Sequence, residues 1–253
     1  MKFKKIPGIK TVAKRKDWFL TICLLFSLIA SSQTTVIIKK DKKSIYVAAD
    51  SRVSIYHKNS KGELVADTGR VCKIYQVNKF NFVVVGWNAL MNIEYAIKAC
   101  KKGKTSQEVI DLYFNSYGHK FADSLEILRI ANKEVYNKFT EYPSISEFVL
   151  FGKEKDTLYA YYNVFNIVSS PDQQVHLRAG SAPIDSIYAG GLTAEITDTL
   201  LTRNVRTKVI LKTLYYLIGV EAKAHPDHVS NPADILYVDK KETKWIQKKQ
   251  QCN

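Results

Sequence analysis

The sequence predicts an α+β fold: a four-layer αββα sandwich, with two stacked, mainly antiparallel sheets between helical layers. Three observations point there. Strand-like and helix-like segments come in runs instead of alternating, which disfavours a doubly wound fold. The segment with Phe80, Phe82, Val83, Val84 and Val85 is too continuously apolar for a surface strand, so its sheet is covered on both faces. No internal repeat, low-complexity stretch or linker divides residues 34–253, and these 220 residues can bury one substantial core.

The first 33 residues read differently from the rest. Lys2, Lys4, Lys5, Lys10, Lys14, Arg15 and Lys16 form a basic head, and residues 18–30 an apolar stretch of 13. That is short for a membrane span, and Ala30-Ser31-Ser32 offers a small-residue cut. The expectation is an export signal over 1–33 and a periplasmic or secreted product, with a membrane-anchored N-terminus as the alternative. Removal takes away seven basic residues and Asp17, so the net charge of +14 falls to +8. The remaining lysines come as scattered pairs, such as Lys39-Lys40 and Lys248-Lys249, without a nucleic-acid motif. No nucleic-acid partner is expected, and no membrane after signal removal. Cys72, Cys100 and Cys252 remain, with no metal-ligand spacing; one disulfide is possible and its pairing is open.

From Thr34 the elements follow in order. Residues 34–40 and 44–50 are β-branched or alternating, around the polar Asp41-Lys42-Lys43, and read as a hairpin. A turn centred on Lys42 sets Thr34 opposite Asp50. Residues 51–70 are polar, a long loop or irregular hairpin with Lys61-Gly62 at its tip. Strands at 71–77 and 81–86 flank Asn78-Lys79, the first expected beside the hairpin's second strand. Residues 88–102 form a helix that Gly103 ends. The capping box Thr105-Ser106-Gln107-Glu108 opens another, with Val109, Leu112, Tyr113 and Tyr117 on one face. Gly118 interrupts it, and helical spacing resumes through Leu125, Leu128, Ala131, Val135 and Phe139. Strands at 146–152 and 157–165, strand-like residues near His176 and Ile187, helices at 193–201 and 205–224, and a last strand at 234–238 complete the list. The tail from 245 is polar. The tyrosines at 159, 161, 162, 215 and 216 read as packing. His225-x-x-His228 with Asp227 lacks a third well-spaced ligand and reads as a polar loop, so no metal is expected.

The chemistry gathers around the hairpin. A chain cut before Thr34 would carry a hydroxyl and a free α-amine on one residue. The hydroxyl needs a base within reach, and an α-amine titrating at about 7.7–8.0 supplies one at neutral pH. Asp50 can hold a cation, and Lys73 is the candidate. An ammonium beside the threonine oxygen favours its alkoxide-like form. Gly86 in Val83-Val84-Val85-Gly86 lets its N–H approach a developing oxyanion.

The segments TTVIIKK, IYVAADSRVS, KIYQV and VVVG resemble the proteasome β-subunits and their bacterial relatives among the N-terminal-nucleophile hydrolases. The resemblance is strongest over 34–87. It implies an Ntn-hydrolase-like fold and Thr34, Asp50, Lys73 and Gly86 as the catalytic set. It places Arg52 at a supporting basic position and Asp227 and Ser230 in a shell around the amine, these two across a one-residue gap. It also implies substrate pairing along the backbone at Ser54, and Val84 lining a specificity pocket. The chain departs from the pattern by about seven extra residues before Lys73, and by Tyr188-Ala189-Gly190-Gly191 where the family has a serine turn. Gln33 also remains if the signal is cut after Ser32. The implied activity is hydrolysis of a peptide or small amide through an acyl-enzyme, without a cofactor, and the resemblance implies a homo-oligomeric ring-type assembly. The alternative is a catalytically inactive relative that serves as a binding or assembly module.

Overall fold

The computed structural model describes residues 34–58, 64–86, 89–140, 145–168, 175–203, 210–231 and 233–249. The expected signal segment and the Lys61-Gly62 tip lie outside them. The hairpin is formed by β1 (Thr35–Lys40) and β2 (Ser44–Ala49). Its register differs from expectation by one residue. Val36 faces Ala49 and Ile38 faces Val47, so Thr35, not Thr34, lies at the level of Asp50. The cause is the turn. Asp41 Oδ1 accepts from the N–H groups of Lys43 (2.7 Å) and Ser44 (2.8 Å), and the Asp41 N–H donates to the Ser44 carbonyl (2.9 Å). This aspartate clamp makes a two-residue loop of Lys42-Lys43, centred between them.

Residues 51–70 resolve the loop-or-hairpin choice. β3 (Arg52–Lys58) and β4 (Leu64–Arg70) pair in a two-stranded sheet of their own. The next strand, β5, is shorter than expected: it runs Ile74–Val77, and Lys73 sits just ahead of it. β6 (Phe80–Gly86), β7 (Ser146–Glu154), β8 (Thr157–Val168) and β9 (His176–Pro183) extend it into an antiparallel sheet ordered β5-β6-β7-β8-β9. β10 (Ile187–Gly191), β11 (Asp234–Asp239) and β12 (Thr243–Gln247) join the hairpin in a second sheet ordered β10-β1-β2-β11-β12. Two expectations are corrected here. β5 belongs to the opposite sheet, not beside β2. The polar tail begins with a strand, because Thr243, Trp245 and Gln247 pair with Val238, Leu236 and Ile235 of β11 despite their polarity.

Three cores follow from side-chain alternation. Val36, Ile38, Val47 and Leu236 of one sheet meet Val83, Val85 and Val149 of the other. Their sequence neighbours point outward: Ile37, Ala48 and Ile235 pack on α4 (Ala194–Arg203) and α5 (Ile210–Ala224), through Ile196, Leu214, Leu217 and Ile218. On the other side, Phe80, Phe82, Val84 and Phe148 pack on α1 (Ala89–Lys102) and α2 (Ser106–Ala131). The fold is therefore α+β, two antiparallel sheets with helices packed on their outer faces. β6 is covered on both sides, as its unbroken apolar run requires.

α2 starts where the capping signature places it, with the Thr105 side chain accepting from the Glu108 N–H at 3.2 Å. It runs through Gly118 without a break. A Cβ there would sit 3.2 Å from the Phe165 ring, so the glycine serves close helix–sheet approach. The helix ends instead at Asn132, and α3 (Lys133–Thr140) is separate. The buried stripe is Val109, Ile110, Tyr113, Tyr117, Phe121 and Leu125, while Leu112 faces outward.

Candidate active site

The site lies where the first residues of β1, the end of β2 and the residue before β5 meet. Asp50 is wholly buried and its two oxygens divide the work. Oδ2 accepts from the Lys73 ammonium at 2.9 Å and from the Thr35 backbone N–H at 2.8 Å. Oδ1 accepts from the Arg52 N–H at 2.8 Å. One carboxylate thus ties together the start of β1, the turn into β3 and the lysine delivered from the facing sheet. Delivery of Lys73 is built into the backbone: the Val71 N–H donates to the Ser51 carbonyl at 2.8 Å, which brings the 71–73 segment alongside Asp50.

Burial lowers the Lys73 ammonium from its ordinary range; the ion pair with Asp50 and the more distant Asp234 carboxylate oppose that. A desolvated lysine held by one carboxylate is a charge arrangement typical of functional sites.

The opposite wall is made by glycine. Gly191 ends β10 with φ +83°, and a Cβ on it would lie 1.5 Å from the Thr34 carbonyl oxygen and 3.1 Å from Val85 Cγ1. No other residue type fits there. The Leu192 N–H donates to the Thr34 carbonyl at 3.2 Å, and the Thr35 hydroxyl donates to the Leu192 carbonyl at 2.7 Å. Thr34 and Thr35 are both buried. Through Val85 the same contact brings the end of β6 close to Thr34. Gly86 follows, with φ +96° and its would-be Cβ 2.7 Å from the Ile145 carbonyl, so it too must be glycine.

The structure therefore gathers Asp50 and Lys73 against the Thr34-Thr35 segment, with Gly86 one residue beyond the Val85–Gly191 contact. Arg52 contributes its backbone N–H. Ser230 also reaches the site: its Oγ accepts from the Ser51 N–H at 3.1 Å and shares a 3.1 Å hydrogen bond with the Ser51 hydroxyl. Asp227 stands exposed in the turn after α5. Ser54 lies in β3, in register with Thr68; its side chain is outside the described set. Val84 is 4% exposed and packs into the core beneath α1 and α2.

Sequence reasoning missed three participants. Gly191 figures in the sequence only within Tyr188-Ala189-Gly190-Gly191, with no role of its own. Asp234 opens β11 opposite Ala49, one position from Asp50. Burial raises its carboxyl, while the Lys249 N–H at 2.8 Å, Lys249 itself and Lys73 pull it down. Lys249, in the tail, also donates its ammonium to the Ser51 hydroxyl. Asp234 and Lys249 could have been found only from the β2–β11 pairing, which joins residues nearly two hundred positions apart in sequence.

Neither the family models nor the curated proteins contain a match to this chain. Among the described residues, no three His, Cys, Asp or Glu side chains are grouped to hold a metal, and no helix is long and apolar enough to cross a membrane.

Proposed function

We propose that the chain is a threonine-nucleophile hydrolase of peptide or small amide bonds, built like an Ntn hydrolase, that acts after export and cleavage before Thr34. The observation that carries this reading is the shared Asp50 oxygen. It holds a buried lysine and the backbone of Thr35 at one point, beside the residue that would become the N-terminus.

In this reading the α-amine of Thr34 takes the proton from Thr34 Oγ1 as that oxygen attacks the substrate carbonyl. The Lys73 ammonium, fixed by Asp50, stabilises the developing negative charge on the nucleophile. The Gly86 N–H serves the oxyanion. The amine then gives its proton to the leaving nitrogen as the C–N bond breaks, leaving an ester on Thr34. Water, deprotonated by the same amine, hydrolyses that ester and restores the hydroxyl.

N-terminal sequencing and intact mass of the mature protein, with hydrolysis of a peptide or amide substrate panel, test the reading. Thr34 as first residue, labelling by an epoxyketone, and loss of at least 10³-fold activity in Thr34→Ala are expected. Retained Gln33, free or cyclised, would leave no amine and favour a binding or assembly role. Undiminished hydrolysis by Thr34→Ala would overturn the assignment.

A further inference from the structure

Cys72, the residue immediately before Lys73, is disulfide-bonded, whereas Cys100 is a buried free thiol. The sequence holds four cysteines, so Cys23 and Cys252 are the remaining candidates for the partner, which lies outside the described residues. Cys23 falls in the expected export signal. The last described residue, Lys249, is anchored beside Cys72's own neighbourhood. Its N–H donates to Asp234 Oδ1 at 2.8 Å and its ammonium to the Ser51 hydroxyl, while the Ser51 carbonyl accepts from the Val71 N–H at 2.8 Å. Val71, the residue before Cys72, and Lys249 thus bond the same serine. Cys252 is three residues further on, and three residues span up to about 10 Å. Closing so short a segment costs little chain entropy.

We propose that Cys72 and Cys252 form a disulfide that ties the end of the chain to the segment delivering Lys73. Two thiols lose two protons and pass two electrons to a disulfide of a thiol–disulfide oxidoreductase, by exchange through a mixed disulfide. An oxidising compartment outside the cytosol suits that bond. The strap rests on the export reading and is independent of the hydrolase chemistry. It fixes the segment that delivers Lys73 and holds Lys249 over Ser51 and Asp234.

The test is peptide mapping of the mature protein, thiols blocked with an alkylating agent and digested with trypsin without reduction. Val71-Cys72-Lys73 joined to Gln250-Gln251-Cys252-Asn253 is expected, separating into two free peptides on reduction. Cys72 recovered as an alkylated thiol, or joined to Cys23, Cys100 or a second chain, would overturn the proposal. In thermal melts, a phosphine reductant should lower the Tm of the parent by about 5–10 °C. The Cys252→Ser variant should melt at the reduced parent's temperature and not respond to reductant. A full reductant response in Cys252→Ser would equally overturn it. A cross-linked protein with no hydrolase activity would count against the proposed function alone; an active enzyme without the link would count against the strap alone.

Discussion

Asp50 and Lys73 are the pair on which both stability and the proposed chemistry rest. Their separation of 2.9 Å with almost no solvent contact means that each charge depends on the other. Lys73→Met should cost about 3–5 kcal/mol, because it strands the Asp50 carboxylate in a dry site. Adding Asp50→Leu should recover only part of that in urea unfolding, since it removes the stranded carboxylate but leaves the Thr35 and Arg52 N–H groups without their acceptor. Hydrolysis should stay absent in both, and recovery of activity with stability would remove Lys73 from the mechanism. These residues were legible in the sequence because spacing along one hairpin and two strand ends is local information. Asp234 was not, because its neighbours come from β2 and the tail.

At the scale of elements, turns decide more than strands. Gly191→Ala should destabilise by at least about 2 kcal/mol, since it combines a left-handed backbone with a contact at 1.5 Å on the Thr34 carbonyl. It should also lower hydrolysis beyond what the folded fraction explains, since relief of the clash displaces Thr34; denaturant curves and assays on the same samples check both. Helix and strand existence were readable because apolar periods of 3.6 and 2 are strong over α2, α5, β1 and β6. Edges and registers were not. Nothing in the composition of 71–73 says that pairing begins only at Ile74, and nothing in Trp245 to Gln247 outweighs its charged surroundings except the open edge of β11. The β1 register turned on the Asp41 side chain, a hydrogen-bonding choice that apolar patterning does not see.

For the molecule as a whole, stability at different pH depends on buried acids as well as on the site. Glu221 in α5 is fully buried and accepts from the Ile196 N–H at the head of α4 at 3.2 Å, with the partly exposed His225 imidazole 3.5 Å away. Burial raises its carboxyl above the ordinary value; the Ile196 and Glu195 N–H groups and His225 oppose this, and the Glu195 carboxylate adds to it. The folded state therefore binds a proton that the unfolded state releases first. The stability this lends is complete below the unfolded value near 4.5 and is lost as pH rises through the folded one. Lys73 has the complementary sign: with its ammonium disfavoured, stability rises with pH between the lowered value and 10.5. Thermal melts between pH 4 and 7 should show Glu221→Gln less sensitive to rising pH than the parent. Identical slopes would mean that Glu221 keeps an ordinary acidity.

The Lys42-Lys43 loop acts as a ruler. Strand residues come in integer steps, and each step turns a side chain to the other face. One residue inserted between these lysines would either break the Asp41 clamp or slide β1 past β2, presenting Ile37 where Val36 and Ile38 now meet the facing sheet. Drift in loop length is thus closed at this turn. A strand whose Thr35 N–H must meet the Asp50 carboxylate cannot gain or lose a single position between them.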